Sequence, residues 1–525
     1  TEVIHQFTFF LAGIVLIIIL ILLANKIKVA YPILLVVGGL IACFVPGVPE
    51  IRIDPEMIFV LFLPPLLYEA AWAISWKELW KWRRIISSFA FIVVFITAIV
   101  VAFVANSYIP GFSFALGFLL GGIVSPPDAV SAGAIMKFVK VPPRFKAIIE
   151  GESLFNDASS LIILRFAIVA VTTGQFIWQE AALSFGWMVV GGVGVGLFIA
   201  FIFYKTHRLL PTNAEMDIVL TLVAPYFMYI VAEELHSSGV LAVVSGGLFL
   251  ANRKHIFLSS ESRVKAGSVW ESFSFVLNGL VFILIGLDLP EIVDGLEAEG
   301  ADIQTAMGYG VLITIVLVVV RILSAYGAVI VTLIARNFIT VADTRSPGYK
   351  APFLMGWAGM RGVVSLAAAL SIPITLADGS PFPQRNLILF ITFVVIVLTL
   401  VIQGLTLPYF IKKINLNFDD DFDQEDYFSI YQKLNRKTNQ YVKEAYSSEI
   451  VENPVLQNVL NRLSAISASD AKMILDEETK EVITEILNKQ REWLLEWNKE
   501  EKLDEGHVRR HFYRLDLEEI GLELK

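Results

Sequence analysis

Residues 119–133 read Leu-Leu-Gly-Gly-Ile-Val-Ser-Pro-Pro-Asp-Ala-Val-Ser-Ala-Gly. They lie inside an apolar run, 112–136, long enough to cross a bilayer as a helix. Two adjacent prolines, Pro126 and Pro127, stand in its middle. Each removes a backbone donor and clashes with the preceding turn, so the helix is predicted to break there. Broken backbone at membrane depth is tolerated only where it lines a cavity. Asp128 stands directly at the break, where it can cap the second half-helix and hold a cation at once.

The rest of the chain supplies the membrane context. Of 525 residues, 56% are hydrophobic and 17% charged, against about 25% charge in a soluble domain. A soluble protein this apolar could not cover its surface with polar groups. Apolar segments fall near 7–24, 30–45, 54–74, 85–106, 112–136, 145–173, 182–204, 215–235, 238–252, 268–289, 305–335, 351–373 and 386–411. The runs are continuous rather than alternating, which excludes a β-barrel. The first has no basic flank before it and no small-residue cleavage site after it, so it reads as a span and not a cleaved signal. Alternate connections carry 21 Lys and Arg, the others only Arg52 and Arg385. Positive charge marks the cytoplasmic side. The prediction is an all-α, multi-pass protein of the cell membrane with thirteen spans, its N-terminus outside and its C-terminus cytoplasmic.

Seven charges stand out within spans: Glu69, Asp128, Glu152, Asp157, Arg165, Arg321 and Arg361. Each costs at least ~2.5–3.5 kcal/mol in hydrocarbon, so each needs a partner or a task. The sixth span contains Glu150-Gly-Glu-Ser-Leu-Phe-Asn-Asp-Ala-Ser-Ser. Helical spacing puts Ser153, Asp157 and Ser160 on one face, with Asn156 beside Asp157. A buried carboxylate flanked by hydroxyls and an amide is a set of hard oxygen ligands for a small monovalent cation. Burial also favours the protonated acid. One acid that holds a cation or a proton, but not both, is enough to couple the two.

The twelfth span contains Trp357-Ala-Gly-Met-Arg-Gly-Val-Val-Ser. Glycines on both sides of Arg361 weaken the helix. This second weak point comes seven spans after the first, as in an inverted repeat: spans 1–6 would match 8–13, with broken spans 5 and 12 crossing. Arg361 could then offset the half-helix C-terminal dipoles or balance carboxylate charge. Arg321, mid-span in the eleventh helix, needs an acid, and Glu152 is the best candidate for a structural ion pair. Arg165 is read as snorkelling to a helix end. Glu69, after Leu63-Pro-Pro-Leu-Leu-Tyr, either lines the cavity or caps a broken proline segment. Glu233 and Glu234 read as surface charges at the outer end of span 8.

The acidity belongs to the tail. From Asn415 onward there are 15 basic and 25 acidic residues, against 26 and 25 before it, so no nucleic-acid partner is suggested. Residues 1–413 are predicted as the exchange domain and 414–525 as a helical cytoplasmic domain. An acidic run, Asp419 to Asp426, opens the tail, and Leu475, Val482, Ile486, Trp493 and Trp497 share a helical stripe. That stripe is either an ordinary packing face or a regulatory, dimer-contacting or ligand-binding one. Cys43 is the single cysteine, which forbids an internal disulfide and cysteine-ligated metal. The six histidines show no ligand spacing. No cofactor is expected; the cation and the proton are the substrates.

These residues resemble the monovalent cation:proton antiporters, in the sodium/proton exchanger branch. Gly151-Glu-Ser-Leu-Phe-Asn-Asp, Ser125-Pro-Pro-Asp, Leu63-Pro-Pro-Leu-Leu-Tyr-Glu and Gly359-Met-Arg-Gly carry the resemblance, which covers roughly residues 7–413. It implies a homodimer in which a core domain moves against a dimer domain in an elevator-like cycle. It implies that Asp157 is the essential ion- and proton-binding acid. Asp128 and Ser153 match further cation positions, with Glu69 nearby; Glu152 and Arg321 match the structural ion pair, and Arg361 the arginine near the crossed helices. The Asn156-Asp157 pair resembles electroneutral, one-for-one exchangers. Many relatives have Thr-Asp-Pro where this chain has Pro126-Pro127-Asp128. The threonine hydroxyl is absent and the Pro127 carbonyl remains, which leaves the choice among sodium, lithium and potassium open.

Two other classes compete. A channel or carboxylate/anion transporter on a similar scaffold would place basic groups and half-helix N-termini at the centre without an acid cluster. An intramembrane hydrolase would need a nucleophile with a base, and no histidine pattern reaches Ser153.

Overall fold

The computed structural model describes residues 2–45, 58–139, 141–174, 178–335, 348–376, 379–414 and, beyond these, 436–441, 444, 477–497, 514–515 and 517–519. The chain divides into two compact units, Thr1–Phe418 and Asp419–Lys525. The first is helical throughout its described membrane segments. Its helices are α1 (Glu2–Ile27), α2 (Tyr31–Ala42), α3 (Leu63–Ala73), α4 (Trp76–Ser87), α5 (Val94–Tyr108), α6 (Phe114–Val124), α7 (Ala129–Met136), α8 (Pro143–Thr173) and α9 (Trp178–Leu209). They continue as α10 (Ala214–Glu234), α11 (Gly239–Phe257), α12 (Ser260–Leu287), α13 (Leu289–Ala298), α14 (Ile303–Ala335), α15 (Lys350–Trp357), α16 (Val363–Leu370), α17 (Arg385–Leu398) and α18 (Gly404–Ile414).

Among the described residues, eight helices or joined helices are long and apolar enough to cross a membrane. Leu11–Ile27, Tyr31–Ala42 and Phe59–Ala73 are shorter apolar helices. The fourth apolar segment is longer than its hydropathy suggests. The helix starts at Trp76, nine residues before the predicted edge, because tryptophans and basic residues lower hydropathy without breaking a helix. Similarly, α13 carries the tenth segment on to Ala298.

Three π-helical stretches, Ile58–Phe62, Ser88–Val93 and Thr399–Gln403, lead into α3, α5 and α18. A π turn widens the helix and misaligns carbonyls, which frees them for side chains. The Ala90 carbonyl, in the second stretch, accepts the Ser159 hydroxyl at 2.5 Å.

The helices pack as two bundles. Helices α1, α2, α3 and α9–α12 pack chiefly on one another, and α4–α8 with α14–α18 form the other bundle. Small residues bring helices close within each, as lipid-facing bundles require. A Cβ on Gly121 of α6 would lie 2.5 Å from the Ala98 carbonyl oxygen of α5, and one on Gly286 of α12 would lie 2.3 Å from the Val36 oxygen of α2. The seam between bundles is thinner: α8 meets α3, α9 and α11, α2 meets α7, and α16 meets α12. It includes an apolar cleft lined by Phe62, Val281, Leu284, Val363, Leu366 and Ala367.

The second unit includes α19 (Glu477–Trp497). Within it Leu487 is buried and Ile486 is 52% exposed. The expected stripe through Ile486 is thus corrected by one residue, a turn of about 100°. Leu475 and the acidic run lie outside the described residues, as do the side chains of Val482, Trp493 and Trp497.

Candidate cation site

The fifth apolar segment is broken where its prolines stand. Helix α6 ends at Val124, and α7 begins at Ala129 with Asp128 as its N-cap. Asp128 Oδ1 accepts the Val130 amide at 3.0 Å, and Oδ2 accepts the Ser131 amide at 3.1 Å and the Ser131 hydroxyl at 2.5 Å. Both oxygens therefore hold α7 in place. The remaining Ala129 amide donates to Ser153 Oγ on α8 at 3.1 Å.

The twelfth segment breaks as well, between α15 and α16. The two breaks touch. The Asp128 amide donates to the Met360 carbonyl at 2.7 Å. Arg361, 1% exposed, donates Nε to the Val124 carbonyl at 2.8 Å and Nη2 to the Ser125 carbonyl at 3.3 Å. Its Nη1 donates to the Gly359 carbonyl. Val124 and Ser125 end α6, and Gly359 follows α15, so one guanidinium satisfies carbonyls at the negative ends of both half-helices. Thr399, in the third π stretch, accepts the Arg361 amide at 3.1 Å. Gly362 fits because it has no side chain: a Cβ there would lie 2.6 Å from Asp128 Oδ2.

Helix α8 runs past the two touching breaks. Asn156, fully buried, donates Nδ2 to the Pro127 carbonyl at 3.2 Å, while its Oδ1 is buried without a partner. Asp157 is 8% exposed and close enough to Asp128 to interact electrostatically. Its carboxylate makes no hydrogen bond or ion pair with any described residue. Ser160, from the same face, donates to the Gly122 carbonyl at 2.6 Å and so ties α8 to α6. Five residues before Asp157, Glu152 binds Arg321 of α14 through two parallel bonds, Nη1 to Oε1 and Nη2 to Oε2, the latter 2.7 Å. Both side chains are nearly sealed from solvent, at 1% and 4% exposure.

The structure thus gathers Pro127, Asp128, Ser153, Asn156 and Asp157 around the first break. It offers two carboxylates, an orphaned amide oxygen, a hydroxyl and a carbonyl, with one acid already committed to backbone and the other without a partner among the described residues. Oxygen donors of this kind suit a hard monovalent cation. The family model described as sodium/hydrogen exchanger, transmembrane, matches residues 13–413.

The chain belongs to the sodium/hydrogen exchanger family.

This exchanger-family chain is 35% identical over 393 residues to a sodium, potassium, lithium and rubidium/H(+) antiporter of Bacillus pumilus, covering 74% of this chain and 58% of that one. It therefore spans less than two thirds of that relative's length. It is 34% identical over 446 residues to the Na(+)/H(+) antiporter ApNhaP of Aphanothece halophytica, covering 84% and 77%. Its fold is like that of the sodium proton antiporter MjNhaP1 from Methanocaldococcus jannaschii, with a TM-score of 0.63 at 19% identity, covering 79% of this chain and 99% of that chain. With the apolar helices, these findings make the chain a multi-pass membrane protein of a transporter family.

Other charges lie where the sequence did not put them. Glu69 is in the middle of α3, just over one turn past its prolines, and does not cap that helix. It lies within electrostatic reach of Glu150 and Glu271. The Tyr31 hydroxyl lies within electrostatic reach of both Asp128 and Glu69. Arg165 is not a snorkelling residue: it pairs with Glu233 of α10, across the seam between bundles. Glu233 Oε1 also accepts the Gly239 amide at 3.0 Å, at the start of α11. A further buried cluster was not legible from the sequence. His207 Nδ1 lies 2.8 Å from Asp217 Oδ1, and the Ser262 hydroxyl donates to Asp217 Oδ2 at 2.7 Å, joining α9, α10 and α12. The position of Asp217 in the first turn of its helix was the available signal, but such a residue more often faces solvent as a dipole partner.

Proposed function

We propose that the protein is a secondary active antiporter that exchanges a monovalent cation, sodium first, for a proton. The observation that carries this reading is the contrast between two neighbouring acids. Asp128 is held on both oxygens by α7, whereas the buried Asp157 carboxylate has no described protein partner. An unsatisfied buried carboxylate is costly unless it binds a cation or takes up a proton. Competition between the two for Asp157, with Asp128, Ser153, Asn156, Pro127 and Glu69 as further oxygen or funnel positions, makes release of one the condition for binding the other. The relatives' names support cation/proton exchange as the activity.

The finer parts of the reading belong together. Thirteen spans with the N-terminus outside follow the charge alternation of the connections. Spans 5 and 12 act as the crossed, broken helices of an inverted repeat, with Arg361 balancing their carbonyl ends. A single titrating acid gives one-for-one, electroneutral exchange. Alternating access comes from movement of one helix bundle against the other within a homodimer, and the tail, 414–525, regulates it. A channel or anion transporter is disfavoured because two acids stand at the break, while its one arginine, Arg361, is committed to backbone carbonyls.

Flux in proteoliposomes tests the reading. An imposed sodium gradient should drive protons the opposite way, with no dependence on membrane voltage, and Asp157→Asn should abolish the flux while the protein still folds. Exchange retained in that variant would remove Asp157 from the mechanism, and clear voltage dependence would overturn one-for-one stoichiometry.

A further inference from the structure

Helix α4 has no part in the cation site, yet its surface is built with two faces. Joined through the π stretch to α5, it forms one helix of 33 residues, Trp76–Tyr108. At 1.5 Å per residue that is about 50 Å, whereas the hydrocarbon core of a bilayer is about 30 Å thick. The excess is close to the length of α4 itself, and α4 is the polar end. It must therefore lie among the headgroups.

Its inner face is apolar: Leu79, Trp82 and Ile86 are buried. They pack on α8 at Gly151, where a Cβ would lie 2.6 Å from Ile86 Cδ1 and 3.1 Å from Leu79 Cδ1. Its outer face carries Trp76 and Trp80, 43% and 58% exposed, stacked at 5.9 Å. Exposed Lys77, Lys81, Arg83 and Arg84 flank them, and the Arg83 guanidinium sits 4.6 Å from the Trp80 ring centroid. The helix's one acid, Glu78, is turned away to accept the Trp82 indole at 3.0 Å. Tryptophan rings favour the headgroup layer, and clustered Lys and Arg attract anionic lipid.

We propose that α4 is a binding face for acidic phospholipid headgroups, seated through Gly151 on the helix that carries Asp157. Nothing in this depends on which ions are exchanged. The test uses the full chain with Cys43→Ser and Ser87→Cys, labelled at residue 87 with a fluorophore. It is reconstituted in phosphatidylcholine vesicles containing increasing brominated phosphatidylglycerol, and quenching reports local enrichment of the acidic lipid. Phosphatidylglycerol should be preferred, and salt should weaken the preference. Each basic residue near an anionic surface accounts for about a fivefold change in partition. Lys77→Gln with Lys81→Gln and Arg84→Gln should therefore lower the preference by about a hundredfold, and Lys77→Gln alone by about fivefold. The control pair Lys26→Gln and Lys28→Gln, exposed at another flank, should leave it unchanged. Equal quenching by brominated phosphatidylcholine, a preference that survives the triple change, or an equal loss in the control pair would overturn the proposal. So would photo-crosslinking from residue 80 to protein instead of lipid.

Discussion

Removing Arg321 should be far more damaging than removing Arg321 and Glu152 together. The pair is bidentate, with one bond at 2.7 Å, and the Glu152 and Arg321 side chains are 1% and 4% exposed. Arg321→Met leaves Glu152 as an isolated carboxylate in a site that no water can enter freely. Breaking such a pair costs about 3–5 kcal/mol, a factor of roughly 150 to 5000 in the folding equilibrium. The partner change Glu152→Leu strands a guanidinium that already has one buried nitrogen, Nε, without an acceptor, and should cost about as much. With both replaced, no charge is stranded, and the Phe89 ring, 5.3 Å from the guanidinium, offers the new side chains an apolar neighbour. The double variant should return close to the parent's stability. Unfolding in mixed detergent micelles, followed across the four members of the cycle, gives the coupling energy directly. Additive losses, or single variants within about 1 kcal/mol of the parent, would refute the argument that this is a buried, mutually dependent pair. Exchange preserved in the double variant would show that the pair holds α8 against α14 and takes no part in ion binding.

Other contacts give narrower expectations. Gly362→Ala would drive a methyl group against Asp128 Oδ2 and so loosen the cap on α7; caps are worth about 0.5–2 kcal/mol, and sodium-dependent proton flux should fall with the melting temperature. Arg165→Gln removes a half-exposed ion pair, so stability should change by no more than about 1 kcal/mol; because the pair spans the seam, the exchange rate should change more than the melting temperature does. His207→Ala leaves Asp217 with Ser262 as its remaining side-chain donor and should cost about 1–3 kcal/mol, measured by thermal unfolding, without altering ion selectivity.

What the sequence made legible follows from how local each signal is. The prolines at 126 and 127 dictate a break by their own covalent structure, and an acid just after a break is a cap wherever it occurs. The contact between Glu152 and Arg321 was legible because a mid-membrane charge has so few acceptable neighbours. The contact between Arg165 and Glu233 was not, because Glu233 lies at a helix end and both side chains remain partly exposed, where water offers a cheap alternative. Thr399 was hidden differently. Its role depends on a π turn, whose i→i+5 bonding has no strong residue preference. Asn156 was placed on the correct helix, but that its amide nitrogen would face Pro127 and leave the oxygen bare depends on packing between segments nearly thirty residues apart. Hydropathy also misjudged α4, whose basic and aromatic residues resemble a loop to a scale that counts only transfer energy.

The interlocked breaks bear on how any gate in this protein can work. A backbone bond from Asp128 to Met360 and two bonds from the Arg361 guanidinium, to the Val124 and Ser125 carbonyls, fasten the two interruptions to each other. Neither can flex alone without orphaning polar groups in the lipid interior. Whatever opens the path to water must carry the knot as a single rigid cargo, so another conformation should preserve these three distances while the spacing of α8 from α3 and of α16 from α12 changes.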